Sequence, residues 1–355
     1  MFIVLILALA TAASAQPAAP AGATRPNLKV LQALPEAQLF PLMNVLAASL
    51  GVSCDYCHVR EKPDLTRTPF NMGGWIWDRD DKPAKNTARD MMRMVIELNA
   101  KNFRGEPRIT CHTCHRGATH TEPLPVLPPR AETNTTPEPP PLPSVDRLWT
   151  TYVNAVGLSE SAARGAVVFS GWDQRPEGRY GKVEIVLSGN DRYRATVSTA
   201  DGPVSQGLDG DGGWMTATGR VQRLSADNLA RLRRIAARYR PVRERPANLQ
   251  VVGIDRLDDG DTYVATARID AITTQALYFN VVSGLLRREV ITTDTLLVPL
   301  QEQVDYGDYR SVNGIKFPFR VVTSNPAPYD TVTRNFNEIR LNVPVDVTTF
   351  RPPSQ

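Results

Sequence analysis

Histidine and cysteine are scarce in this chain. There are four of each in 355 residues, and none of either beyond His120. Residues 145–355 therefore offer no thiol nucleophile, no imidazole base and no soft metal ligand. They also lack a carboxylate pair, a Ser–His pair and a Gly-rich phosphate loop, which leaves common hydrolytic and nucleotide-handling chemistries without residues to carry them. The stretch "LDGDGG" at 208–213 has neither the distal Glu nor the spacing of a calcium loop, and reads as a plain turn. No sign of charge is in large excess: Lys and Arg number 41, Asp and Glu 37, for a net charge of +4. The basic residues are scattered, without interleaved aromatics, so nucleic acid is not an expected partner. After the first sixteen residues no apolar run is long enough to cross a bilayer.

What is present is crowded. All eight Cys and His lie between Cys54 and His120. Seven of them fall in Cys54-Asp-Tyr-Cys57-His58 and Cys111-His-Thr-Cys114-His115, six at the CxxCH positions and His112 between. Two thiols at this spacing match the two vinyl groups on one porphyrin edge. The next residue, His, then falls under the iron as proximal ligand. A zinc ribbon is the rival, but its Cys pairs stand about 15–20 residues apart. Cys57 and Cys111 are separated much further. Exported cysteines also form disulfides or redox pairs, yet neither explains a His directly after both. The expected cofactors are two covalently bound haem c groups. Cys54, Cys57, Cys111 and Cys114 attach them, and His58 and His115 ligate iron.

The opposite face of each iron needs a second ligand or stays open. His112 is pinned between its own two cysteines. His120 follows its motif closely and reads first as a surface residue. Methionine is the better candidate. Met43 lies 11 residues before Cys54, and Met91 lies 20 before Cys111. In "PEAQLFPLMNVLAASLG", Leu39, Leu42, Met43, Leu46 and Leu50 follow helical spacing, with Pro35 at the start, Gly51 at the stop and Pro41 as a candidate kink. In "NTARDMMRMVIELNAKNF", Met91, Met94, Val95 and Leu98 share one stripe. Met92 and Met94 compete with Met91 as ligand. A Met-bearing helix followed by CxxCH thus occurs twice, an internal duplication.

The remaining chain divides by composition. Residues 1–15 carry a continuous apolar run and end in Ala13-Ser14-Ala15, the pattern of a cleaved secretory signal. Residues 16–26 are a small-residue, Pro-rich leader. Residues 27–120 hold the haem motifs, and 121–144 are a Pro-dense linker that favours extended polyproline II. Residues 145–355 alternate in the manner of strands, with hairpin turns at Gly189-Asn190, Asp259-Gly260, Ser283-Gly284 and Asn313-Gly314. One helix interrupts them, "SADNLARLRRIAARY", capped by Ser225 or Asp227. Trp172, Trp214, Tyr278 and Phe279 read as core there, ahead of a ligand box. The expected fold is multidomain: an all-α c-type di-haem domain, then a mainly antiparallel β, half-barrel-like domain with a helix.

Residues Asn27 to about Gly117 resemble half of the cytochrome c subunit of bacterial photosynthetic reaction centres. The likeness rests on "NLKVLQALPEAQLFPLMNVLAASLGVSCDYCH" and "TARDMMRMVIELNAKNFRGEPRITCHTCHRG". It implies axial Met43 and Met91 opposite His58 and His115, and a role as an electron donor in photosynthesis. This chain has two motifs where the family's reaction-centre members have four, and "NMGGWIWDRDDKP" stands where a shorter connector is usual. Residues 145–355, with "YGDYRSVNGIKFPFRV", loosely resemble bacterial lipoprotein-carrier proteins, whose half-open sheet wraps a helix and holds an apolar ligand.

The leading expectation is an exported electron carrier, periplasmic or secreted and in contact with the inner membrane only peripherally. Its partners are redox proteins, among them a membrane reaction centre or respiratory complex. Two alternatives stand beside it. One is a haem oxidoreductase or peroxidase with one five-coordinate iron. The other is a redox-linked binding protein that holds an apolar ligand or partner through residues 145–355.

Overall fold

The computed structural model describes residues 27–61, 75–122, 124, 141–157, 165–175, 178, 180–199, 202–217, 220–326 and 331–353. The signal and leader readings (1–15 and 16–26) and most of the Pro-dense linker lie outside the described residues.

The N-terminal region contains helices α1 (Glu36–Leu50), α2 (Pro83–Phe103) and α3 (Cys111–His115). Helix α1 runs on through Pro41 and stops at Gly51, which is left-handed at φ 64°. The region is not all-α. Strands β1 (Val59–Arg60) and β2 (Trp75–Ile76) pair as a short antiparallel ribbon directly after His58. The helical stripe on α2 also differs from the expected one. Its buried positions are Lys85, Arg89, Met92, Val95 and Asn99, while Met91, Met94 and Leu98 are exposed. Apolar spacing alone favours the stripe richest in large apolar residues. Here two charged groups, neutralised by Asp80, turn the helix toward the other.

The C-terminal region opens with α4 (Val145–Val156), capped by the Ser144 hydroxyl. The sequence reading missed this helix, although Leu148, Tyr152 and Val156 at i, i+4, i+8 are its buried face. Six strands follow: β3 (Ala166–Gln174), β4 (Tyr180–Ser188), β5 (Arg192–Thr199), β6 (Gly202–Asp209), β7 (Gly212–Ala217) and β8 (Arg220–Arg223). After α5 (Ala226–Ala237) come seven more. They are β9 (Gln250–Leu257), β10 (Gly260–Arg268), β11 (Thr273–Asn280), β12 (Leu286–Thr293), β13 (Leu300–Val312), β14 (Ile315–Ser324) and β15 (Val332–Val343).

All thirteen strands form one antiparallel sheet in the order β8-β7-β6-β5-β4-β3-β15-β14-β13-β12-β11-β10-β9. Two meanders join in the middle, where β15 pairs with β3. Helix α5 connects the two edge strands, capped by Ser225. All four expected hairpins are present. At the last, Asn313 and Gly314 both have positive φ, as the tight primed turn requires. Alternation sets the buried face: along β14, Ile315, Phe317, Phe319 and Val321 point inward. They meet Tyr152 and Val156 of α4 and Leu232 and Ala236 of α5 in one apolar core. Each buried large side chain contributes about 1.5–3 kcal/mol over its exposed state.

Charge is buried beneath α5. Arg238 and Arg243 flank Glu289 at 3.1 and 2.8 Å, and Arg238 also pairs with Glu302. The Tyr306 hydroxyl donates to Glu289 at 3.1 Å. Burial pushes the Glu289 carboxyl up, but Arg243 and Arg238 pull it down further, to about 2.

The N- and C-terminal regions share a second apolar cluster. Leu297 and Val298, between β12 and β13, are 0% and 1% exposed. They pack with Leu31, Leu34, Leu42, Leu46, Met92 and Val95.

Candidate functional site

Glycine geometry brings the two CxxCH motifs together. A Cβ at position 51 would stand 2.0 Å from the Gly117 carbonyl oxygen. The Gly117 N–H donates to the Ser49 carbonyl at 2.9 Å. The end of α1 therefore locks against the turn that follows α3. A second clamp is Asn99, 1% exposed. Its amide donates to the Ile109 carbonyl at 2.7 Å and accepts from the Ile109 N–H at 2.9 Å, tying α2 to the start of α3. The Thr110–Thr113 capping box then starts α3 at Cys111.

These joints surround a cavity of about 1100 Å³. It is larger than most small-ligand pockets, which run to about 1,000 Å³. Met43, Cys54, Cys57, His58, Met91, Cys111, Cys114 and His115 all line it. These are the eight site residues expected from sequence, and the fold sets them around one space. His112 and His120 are exposed and do not line it.

The two imidazoles sit differently. His115 Nδ1 lies 3.0 Å from the Ala118 carbonyl. In that pairing Nδ1 carries the proton and Nε2 keeps its lone pair. His58 Nδ1 is buried and makes no hydrogen bond. Burial lowers the His58 pKa first, and nearby Lys85 lowers it further, against a weaker pull from the Trp77 backbone. Burial pushes the Cys57 and Cys111 thiols up. None of the four cysteines is in a disulfide. Among the described residues no three His, Cys, Asp or Glu converge on a point that could hold an ion.

The methionines separate by environment. Met43 is half-buried on α1, and Met92 is 7% exposed within the shared cluster. Met91 and Met94 are 38% and 43% exposed; all three α2 methionines, Met92 included, line the cavity, so the fold leaves the choice among them open.

Several lining residues escaped the sequence reading. Trp75 and Trp77 are two, and the alternate W-I-W spacing was their signal. Lys85 and Arg89 are others, and Asp80 pairs with both. Asp80 pairs with Arg89 and Lys29 at 2.9 Å each and with Lys85 at 3.1 Å, and it accepts from Asn27 at 2.7 Å. Arg89 and Lys29 hold its carboxyl far below the usual range. Arg and Asp recur on every surface, and nothing in their spacing marks these as partners.

In the C-terminal region, Trp214 and Phe279 are core at 3% and 1% exposure, but Trp172 is 39% exposed and is not. Residues 208–213 form the β6–β7 hairpin turn.

No protein-family model matches the chain. Over 99 residues it is 31% identical to cytochrome c-554 of Chloroflexus aurantiacus, which covers 26% of this chain and 20% of that protein. The chain thus spans about a fifth of the length of the curated relative it matches. Among solved structures, a LolA superfamily protein from Nitrosomonas europaea superposes at a TM-score of 0.41 with 13% identity, over 59% of this chain and 99% of that one. A DUF1329 family protein from Desulfovibrio piger gives 0.39 and 12%, over 58% and 97%. A putative outer membrane lipoprotein-sorting protein domain from Vibrio parahaemolyticus gives 0.37 and 10%, over 52% and 89%. Among the described residues no helix is long and apolar enough to cross a membrane.

Proposed function

We propose that this protein is an exported c-type cytochrome that carries electrons between redox proteins through two covalently bound haems. One observation carries the reading: both CxxCH motifs and both Met-bearing helices wall a single cavity of about 1100 Å³. The residues fit the group. Four thiols, none in a disulfide, stand in two pairs, each pair followed by a half-buried imidazole, and the wall between them is largely apolar. The partial sequence likeness to a cytochrome c-554 supports it.

In this reading Cys54 and Cys57 anchor one porphyrin edge, and Cys111 and Cys114 anchor another. His58 and His115 supply the proximal nitrogens. Met43, with one of Met91, Met92 and Met94, would supply the further iron ligands. Haem iron supplies one-electron chemistry, and thioether ligation favours the reduced state. The protein's own part is to hold ligands, exclude water and leave no face open to substrate. A carrier role follows, rather than that of an oxidoreductase with an open iron. The acceptor is a membrane reaction centre or a respiratory complex outside the cytoplasm, the former being the role the family resemblance implies.

The test is mass spectrometry and a reduced-minus-oxidised spectrum of protein made in a host competent for cytochrome c assembly. Two tetrapyrrole additions and a low-spin ferric spectrum are expected. One addition leaves half the site, and none removes the reading. A high-spin ferric component would favour the enzyme alternative.

A second reading assigns residues 145–355 to an apolar ligand or partner. Its support is the apolar interior between the sheet and α4, where Trp149 and Tyr152 meet Phe279. That interior is filled by the protein's own side chains. A ligand there has to displace α4 or α5. Native mass spectrometry of the exported protein tests this: a co-purifying lipid mass supports it, and a bare protein mass does not.

A further inference from the structure

Trp75 and Trp77 belong to neither CxxCH motif nor Met helix, and the carrier reading leaves them unused. Two residues apart, they fall on one side of an extended chain. Strand β1 begins at the residue after His58 and pairs Arg60 with Trp75 and Val59 with Ile76. The ribbon thereby returns the chain onto its own histidine. Trp77 meets the His58 ring edge-on, with centroids 5.1 Å apart and planes at 74°. Trp75 stacks behind Trp77 at 5.1 Å and 18°. The Arg60 guanidinium covers Trp75 at 5.0 Å. The backbone is held as well. The Lys85 ammonium donates to the Trp77 and Arg79 carbonyls at 2.7 Å each.

Nothing equivalent follows the second motif. After His115 the chain turns at Arg116 and Gly117, both at positive φ, and the Ala118 carbonyl meets Nδ1.

We propose that Trp77, backed by Trp75, is the positioning residue of His58. The two iron sites are then oriented by different means: an aromatic edge at the first, a backbone carbonyl at the second. This rests on the reading of His58 and His115 as haem ligands. A carbonyl that accepts from Nδ1 fixes the ring and raises its basicity toward the metal. At His58 the aromatic edge fixes the ring plane, and the Trp77 backbone adds only a weaker pull of that kind. The two irons are therefore inequivalent, and only the first responds to a change at Trp77.

The test uses full-length holoprotein carrying Trp77→Ala, Trp75→Ala or Trp77→Phe. Haem count is read by mass spectrometry, ligand geometry by ferric paramagnetic resonance, and potential by redox titration. Two haems are expected in wild type and in every variant. Trp77→Ala shifts one of the two midpoints and one of the two low-spin signals, and leaves the other pair unmoved. Trp77→Phe restores the wild-type values, and Trp75→Ala gives a smaller shift at the same site. Unmoved signals in Trp77→Ala, or equal shifts at both sites, overturn the proposal. Should Trp77→Ala lose haem, Trp75→Ala decides, because Trp77 and His58 both remain; unmoved signals there overturn it too. Absence of haem from wild type sinks the ligand reading itself, a separate outcome.

Discussion

Replacing Leu297 by Ala tests whether the two regions of this protein share a core. The side chain is fully buried, and its neighbours are Leu31, Leu34, Leu42, Leu46, Met92 and Val95 from the N-terminal region. Truncation removes three carbons' worth of transfer energy and leaves a cavity, because helices packed on both sides relax only in part. Buried Leu→Ala changes cost about 2–5 kcal/mol. Complete burial places this one at about 3 kcal/mol or above. With a urea slope of about 3 kcal/mol/M for a chain of this size, the midpoint falls by about 1 M. Two probes separate the regions during urea unfolding. In a background with Trp149, Trp172 and Trp214 replaced by Phe, fluorescence from Trp75 and Trp77 reports the N-terminal region, and far-ultraviolet dichroism near 218 nm, a wavelength that weights roughly in favour of strand, reports the sheet. In the variant the N-terminal transition moves to lower urea, and the sheet transition moves less. A loss under about 1 kcal/mol, or a loss confined to the sheet, refutes a shared core.

Other predictions follow from single groups. Glu289→Gln leaves Arg243 buried without a counter-charge and Arg238 with Glu302 alone, and thermal unfolding should register a loss of about 3–5 kcal/mol. The wild-type Glu289 carboxyl is depressed from about 4.5 to about 2, so its stabilisation is complete above pH 4.5 and drains as pH falls toward 2. Urea midpoints across pH 2–6 should drop in that window, and a flat profile contradicts the network. Gly51→Ala forces a Cβ to within 2.0 Å of the Gly117 oxygen in a left-handed backbone. It should destabilise by more than the strain alone, about 1–2 kcal/mol, and reduce haem incorporation measured per mole of protein. Met43→Ala should add high-spin character to the ferric spectrum while both haem masses stay. Comparison of Met91→Ala, Met92→Ala and Met94→Ala assigns the second methionine, since only the ligand's loss gives the same change.

Local chemistry was legible along the chain. A CxxCH motif states its own geometry, because the thiols and the imidazole are bound to adjacent backbone. Primed turns were legible for the same reason: Asn313-Gly314 needs only its own φ values. Strand alternation at Ile315, Phe317, Phe319 and Val321 is equally local, since successive side chains alternate whatever lies opposite. Burial was less so. The face of α2 that turns inward carries Lys85 and Arg89, and Asp80 just ahead of the helix, with the distant Asn27, makes that tolerable.

The sequence by itself determined that six Cys and His residues stand in two haem-type motifs, each preceded by a methionine on a helix, and that a hairpin-rich sheet follows. Only the tertiary structure decided that both motifs wall one cavity, that Met92 packs into the shared core while also lining that cavity with Met91 and Met94, and that Leu297 completes a core some two hundred residues upstream. The physical reason is range. Covalent spacing and backbone dihedrals act within a few residues, whereas burial is set by whichever surfaces meet. No local pattern records that meeting.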